Sequence, residues 1–450
     1  MSRPPGPTRF SPSRVFLVLA WSFGTLFVFL TPPFQAPDEY DHFHRAYQVS
    51  EGHLLETRNG GDAGGFQPRS LLAFQNRVSF DMPHHPEVKQ DLATLWAMRR
   101  LPLKPEDRRF IRFPWYSPTN YFPQAAGIAI ARALGAGPLL LHYAGRLGNL
   151  LAWSLLIYVA LRWIPVMKWT LALLALMPMS LWLAATLSAD AMVNALCFLF
   201  VAVTLYLAIG DEKPMTAGRA WALVGLSAAI ALAKTAYLPI LLLTLMIPAR
   251  KFGGRGKYWL FFALVLSVGV AVNIAWTLCT YSDFVNPGRS PSAQAVYVLH
   301  HPLNMLGDYV GQLFSIAFLC SIVGKLGWYD TRLLRPLVVC YAAVLIWTAW
   351  MAGASAAQLN GRQKSIIAVA AVGMWLALFL IMDLAFTKVG NSAITSLQGR
   401  YLIPLTPLVL LLFCPSAALR RRERGAILAA FSACFNVYIA IVLCLRFYVA

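Results

Sequence analysis

Long apolar runs recur along this chain, at roughly 15–30, 138–161, 169–187, 190–210, 217–233, 236–249, 258–280, 336–353, 365–386, 401–419 and 425–445. A bilayer's hydrocarbon core is about 30 Å thick and takes about 20 apolar residues to cross as a helix. Inside it every backbone N–H and C=O must find a partner within the protein, which leaves helices or closed barrels. Runs of this length, joined mostly by short polar turns, imply an all-α polytopic membrane protein with about 11 spans. The count rises to 12 or 13 if 121–134 or 303–324 also crosses. Segment 303–324 carries Asp308 and Gln312, so a re-entrant or interfacial helix is expected there. With 58% hydrophobic and 13% charged residues, the composition excludes an ordinary soluble enzyme, a disordered chain and a coiled coil.

The formal net charge is +19. In a soluble protein that would suggest nucleic acid. Here the basic residues lie largely in short loops beside apolar runs and read as topology signals and phosphate contacts, so no nucleic-acid partner is expected. Arg3, Arg9 and Arg14 precede the first run without an acid, which places the N-terminus in the cytoplasm. No small-residue cleavage site follows, so 15–30 is read as a spanning helix rather than a signal peptide. The loops 162–168, 211–219, 250–257, 362–364 and 420–424 are then cytoplasmic. The long segment 31–120, with 11 of the 19 acidic residues and five of the eight histidines, lies outside. Within it, 34–120 is expected to form short interfacial helices on a single domain covering 1–450. The tip at Lys234 and the loops 282–302 and 388–400 fall on the same outer side. Seven cysteines sit in apolar stretches without CxxC spacing and are read as buried thiols.

The first outer loop opens with Ala36-Pro37-Asp38-Glu39-Tyr40-Asp41-His42-Phe43-His44-Arg45-Ala46-Tyr47. Pro37 can start a helix. Asp38 and Glu39 would then sit at its positive end, and Asp38, Asp41, His42 and Arg45 would share one face. Three readings fit: a capped, solvated helix start, a Mg or Mn site drawn from Asp38, Glu39, Asp41, His42 and His44, or a catalytic carboxylate site. In the last, Asp38 or Glu39 takes the proton of an attacking hydroxyl, and one base suffices if the leaving group is a phosphate. The narrowest metal set is Asp38, Glu39 and His42.

Pro37-Asp38-Glu39, His42, Arg45-Ala46-Tyr47 and Ser50-Glu51-Gly52 resemble the opening motif of a bacterial family of predicted membrane proteins. That family is grouped with the GT-C superfamily of membrane glycosyltransferases. The resemblance continues through Tyr116-Ser117-Pro118, Tyr121-Phe122-Pro123-Gln124, Ser188-Ala189-Asp190-Ala191, Lys234 with Tyr237 and Pro239, Gly324 with Gly327-Trp328, and Gln398-Gly399-Arg400-Tyr401 with Pro404. It implies a GT-C-like fold, an acidic motif in the first outer loop, and a donor sugar carried on a polyprenyl phosphate or diphosphate.

Lys234 between two apolar runs reads either as a snorkelling lysine or as a cation for lipid phosphate. Arg400 opens a span where the helix dipole would prefer an acid, which favours phosphate binding, and Gly399 would let the backbone come close. Arg146 and Asn149 lie inside a span, and Asp190 opens another. Such charges face the protein interior, and Arg146 either pairs with an acid or lines the lipid groove. Phe113, Trp115, Tyr116, Tyr121 and Phe122 read as an interfacial belt, with sugar stacking as the alternative.

Together these features lead to an inverting GT-C-type transferase in a bacterial inner membrane with a periplasmic site. It would move a sugar from a polyprenyl-linked donor to a cell-envelope glycan or lipid acceptor. Asp38 or Glu39 would be the base. Lys234 and Arg400 would hold phosphate, and His42 and Arg45 would orient the acids or the acceptor. Tyr116, Tyr237, Gln398 and Tyr401 complete the candidate set. A flippase of lipid-linked sugars and a non-catalytic scaffold are the rivals.

Overall fold

The computed structural model describes residues 10–449 except 56, 61, 80, 115, 281–289, 353–358, 392–393, 395 and 415–424. Arg3, Arg9, Trp115 and the basic loop 420–424 therefore lie outside the described residues.

Helices dominate. Among the described residues, six are long and apolar enough to cross a bilayer: Pro12–Leu30, Pro138–Trp163, Asp190–Gly210, Arg255–Thr280, Gly361–Phe386 and Gly425–Phe447. The pair Pro302–Leu313 and Ile316–Val323, where a re-entrant or interfacial helix was expected, bends by 55°, a geometry shared by a broken span and a re-entrant loop. Four more expected spans appear as shorter apolar segments, Ala217–Ala233, Thr235–Met246, Arg335–Met351 and Gly399–Leu412. The run 169–187 is two short helices, Lys168–Ala175 and Pro178–Ala184, broken where Pro178 begins the second. The Phe122–Ala133 helix has 12 residues and rises only about 18 Å, too short to cross unaided.

Burial sorts these elements. Asp190–Gly210 has 83% of its apolar window inside the protein, whereas Arg255–Thr280 has 17% and faces outward along most of its length. A helix apolar all round is stable in either setting. The buried helix thus runs through the interior, and its first residue, Asp190, stands at one end of it.

Two glycines set the next contact. A Cβ on Gly127 or Gly148 would run into the facing backbone carbonyls of Ala144 and Pro123. Their absence lets Phe122–Ala133 lie directly against Pro138–Trp163. That contact fixes the rotation of the second helix, and with it Arg146.

The segment 34–120 is not made of helices alone. Strands β1 (Thr57–Asn59), β2 (Asp62–Pro68) and β3 (Arg108–Arg112) form an antiparallel sheet in that order. The sheet adds to the expected short helices, Glu39–Ser50, Arg69–Ser79 and Leu92–Met98, and was not itself expected. Gly60, at φ 61°, turns the chain between β1 and β2, and Asn59-Gly60 is a hairpin signal. The segment is bound to the last helix. Lys89 Nζ donates to the carbonyls of Leu445 and Arg446, and Arg446 donates to the carbonyls of Met82 and Val88 and to Asp330. A cation on a helix's last carbonyls also complements its dipole.

The sheet-bearing segment and the turn 211–219 are expected on opposite sides of the membrane. In a background lacking the native cysteines, Asn59→Cys and Lys213→Cys should label only from opposite faces. Labelling of both from one face would overturn this topology.

Candidate active site

The acidic motif forms the helix Glu39–Ser50, which starts two residues later than Pro37 suggested. Asp38 precedes it in the left-handed region at φ 60°. Few residue types other than glycine tolerate that region, and Asp is one. The turn separates the two acids.

Glu39 points inward. Its carboxylate is fully buried and receives Arg146 in a two-point contact, Nε to Oε1 at 2.8 Å and Nη2 to Oε2 at 2.7 Å. The Leu187 N–H adds a third donor at 3.0 Å. Arg146 spends its remaining hydrogens on the carbonyls of Val28, Thr31 and Pro32. Burial alone would raise the Glu39 carboxyl, but Arg146 and His142 outweigh it and hold it below the usual range. The acid-pairing reading of Arg146 is the one observed. The reading of Glu39 as the base has no open oxygen to rest on.

Asp38 turns the other way. Its side chain is 40% exposed, and Oδ2 lies 3.4 Å from Arg400 Nη2. Arg400 is 3% exposed, and its Nε lies 3.2 Å from Asp190 Oδ2. Lys234 Nζ lies 3.4 Å from the other Asp190 oxygen. Four charges from positions 38, 190, 234 and 400 thus form one chain. The Tyr401 ring lies between the cations, 3.7 Å from Lys234 Nζ and 5.1 Å from the Arg400 guanidinium. Among the described residues, Arg400 Nη1 is buried with no hydrogen-bond partner. An unsatisfied buried donor costs about 1–3 kcal/mol, more when charged, unless something fills the position beside it.

The other sequence-derived candidates divide. Tyr237 donates to the Tyr401 carbonyl at 2.8 Å, and Gln398 accepts from the Tyr329 hydroxyl, so both brace the cationic segment. His42 is buried, and its Nδ1 is 2.7 Å from the Tyr121 hydroxyl. Burial pushes its pKa down to about 4, so the ring is neutral at neutral pH. Tyr116 packs beside it, ring centroids 5.3 Å apart. Arg45 serves the loop: it donates to the carbonyls of Tyr116 at 2.9 Å and Leu54 at 2.5 Å. Gly399 does permit a close approach, but to Ser321 and Ile322 of the bent helix pair, which a Cβ would displace. Phe113 and Tyr121 are buried and Tyr116 is half-buried, rather than arranged as an interfacial belt, while Phe122 is exposed.

The metal set is not assembled. No group of three His, Cys, Asp or Glu side chains with metal-ligand geometry occurs among the described residues. Glu39 faces Arg146, and both ring nitrogens of His44 are bonded to Gln67 and Gln75 at 2.8 Å.

Asp190 gains most from the structure. Sequence marked it as a charge at a span's start and as part of the Ser188-Ala189-Asp190-Ala191 motif, and neither showed that it joins the two cations. The signal was its place beside Ser188-Ala189 at the start of a strongly apolar run, but its partners lie 44 and 210 positions away.

The pattern of a family described as "Predicted membrane protein (DUF2142)" matches residues 21–409. The chain belongs to this family. No curated protein matches the sequence. Among solved structures, the chain is similar to ArnT from Cupriavidus metallidurans bound to undecaprenyl phosphate, with 16% identity and a TM-score of 0.45 over 95% of this chain. The apo state of the same protein gives 16% identity and a TM-score of 0.42 over 92% of this chain. The chain spans 63% and 60% of the length of those two ArnT chains.

Removing one partner of a buried ion pair leaves an uncompensated charge and costs about 3–5 kcal/mol. Arg146→Met and Glu39→Gln should each lower the melting temperature of the purified protein sharply, and the double variant should lose less than the sum. Full additivity would show that the two side chains do not act as a pair.

Asp41 supplies a second test. Burial, then the charge of Asp38, pushes its carboxyl up to about 7. The folded chain therefore holds this proton more tightly than the unfolded chain, and stability falls as pH rises from about 4 to about 7. Asp41→Asn should raise the melting temperature more at pH 8 than at pH 5. An equal shift at both values would contradict this.

Proposed function

We propose that this chain is an inverting GT-C-type glycosyltransferase. It moves a sugar from a polyprenyl phosphate-linked donor to a cell-envelope glycan or lipid acceptor at the periplasmic face of a bacterial inner membrane. The observation that carries the reading is Arg400, buried beside an open carboxylate with its Nη1 group unspent. A phosphate oxygen is the acceptor such a group suits, because the guanidinium fork can engage two oxygens and Lys234 adds a compact charge nearby. Both cations stand at ends of apolar segments, where a polyprenyl phosphate head group would reside.

Asp38 is the base in this mechanism. An acceptor hydroxyl beside it attacks the anomeric carbon from the face opposite the phosphate, and its proton passes to the Asp38 carboxylate. The new carbon–oxygen bond forms as the bond to the phosphate oxygen breaks, and the departing phosphate keeps the electron pair. Arg400 and Lys234 stabilise that charge. The carboxylate also favours oxocarbenium character at the sugar. Asp190 holds the two cations at one spacing, and Glu39, locked to Arg146, fixes the turn that aims Asp38. Neutral His42 and Tyr116 form the wall behind the acid. No metal is needed for proton transfer or charge stabilisation in this scheme.

Release of polyprenyl phosphate from labelled polyprenyl-phosphate sugars, with purified protein and cell-envelope acceptors, tests the assignment. Asp38→Asn should lower turnover by about 10²–10⁴ while leaving donor KM nearly unchanged. Arg400→Lys should both raise donor KM and lower kcat, because one ammonium cannot reproduce the fork. Wild-type kinetics in both variants would remove these residues from the reaction.

A further inference from the structure

A polar cavity lies at the end of the motif helix opposite to Asp38. It holds about 520 Å³, and its walls include Gln48, Glu51, Thr57, Phe66, Arg108 and Arg132. The helix Glu39–Ser50 has 12 residues and rises about 18 Å, so this cavity is separate from the Asp38 cluster.

Its chemistry differs from that of the first site. Arg108 engages both oxygens of Glu51, at 3.0 and 2.6 Å, and Arg132 Nη1 lies 3.4 Å from the same carboxylate. The guanidinium groups are also anchored on backbone, Arg108 on the Phe66 carbonyl at 3.1 Å and Arg132 on the Ser50 carbonyl at 2.7 Å. Donors and acceptors thus stand side by side, held rigidly. An anion site would present cations without a carboxylate between them, and an apolar ligand would need apolar walls. Phe66 is half exposed and is held edge-on by Phe110, with centroids 5.5 Å apart. It offers a fixed flat apolar face beside the polar wall. A ligand that both donates and accepts through many hydroxyls, and has one apolar face, matches this set. A pyranose ring has those properties.

We propose that this cavity is a saccharide-binding subsite that holds the glycan part of the acceptor. Saccharide binding stands on the cavity alone, whereas the acceptor role rests on the transfer reaction proposed above. One helix connects the two sites, so a bound glycan chain is oriented relative to Asp38 by a rigid element. Gln48 reinforces this by donating to the Gly64 carbonyl of β2 at 3.2 Å, which ties the helix to the sheet that carries Phe66.

The experiment is equilibrium binding of maltotriose, chitotriose and trigalacturonate to the full-length protein in detergent or nanodiscs. Wild type, Asp38→Asn, Phe66→Ala and Thr57→Trp are compared after a melting-temperature check. Phe66 and Thr57 are exposed, so neither substitution opens the core. At least one trisaccharide should bind. Phe66→Ala should weaken it about tenfold, the scale of a lost aromatic contact. Thr57→Trp should block the cavity, and Asp38→Asn should bind as wild type. Failure of every trisaccharide to bind, binding that survives both cavity substitutions, or trigalacturonate binding abolished by inorganic phosphate would overturn the proposal. Failure of the transferase reading instead shows as saccharide binding that persists with no release of polyprenyl phosphate.

Discussion

The buried pair of Glu39 and Arg146 is the interaction on which the outer half of the molecule depends. Two charges with no exposed side-chain surface are stable only when every lone pair and proton is matched. Here Arg146 satisfies Glu39 together with three carbonyls at the end of the first helix, and Leu187 N–H completes the carboxylate. The first span, the motif helix, the Pro138–Trp163 helix and the approach to Asp190 are thereby joined at one point. The two glycines that allow Phe122–Ala133 to lie close to Pro138–Trp163 are part of the same constraint, because they set where Arg146 points.

The division between adjacent acids follows from that lock. Glu39 is committed to structure, and the left-handed residue before it turns Asp38 to the opposite side. Non-glycine residues in this region are concentrated around the site: Phe34, Asp38 and Tyr329 all have positive φ. Each is held by a neighbour. The Phe34 carbonyl accepts from Trp328, Asp38 meets Arg400, and Tyr329 donates to Gln398. Local strain of this kind persists where surrounding contacts over-determine it, and it is commonly found at functional sites.

Much of the fold was legible because bilayer solubility leaves a strong imprint: Ala217–Ala233 occupies the apolar run's own limits, and Asp190–Gly210 likewise. The break at Pro178 was hidden because both halves are equally apolar, so hydropathy saw one run. The sheet was hidden because β2 pairs with β3 more than forty residues later, and its Asp-Ala-Gly-Gly start carries no alternation. Asn59-Gly60 was the readable trace of its hairpin. Within the site, sequence could not separate Asp38 from Glu39. One backbone turn decides which acid meets which arginine. Asp190 was similarly undervalued because its meaning lies in long-range partners.

In the transfer reaction proposed above, Arg400 and Lys234 receive a lipid phosphate beside Asp38. The most direct measurement is a density map of the purified protein with a polyprenyl phosphate bound. A phosphate oxygen is expected within hydrogen-bond distance of Arg400 Nη1, with a second contact from Lys234 Nζ and the Asp38 carboxylate on the side where the sugar carbon would lie. A head group bound elsewhere, with Arg400 Nη1 still without a partner and Asp38 remote from the phosphate, would contradict it.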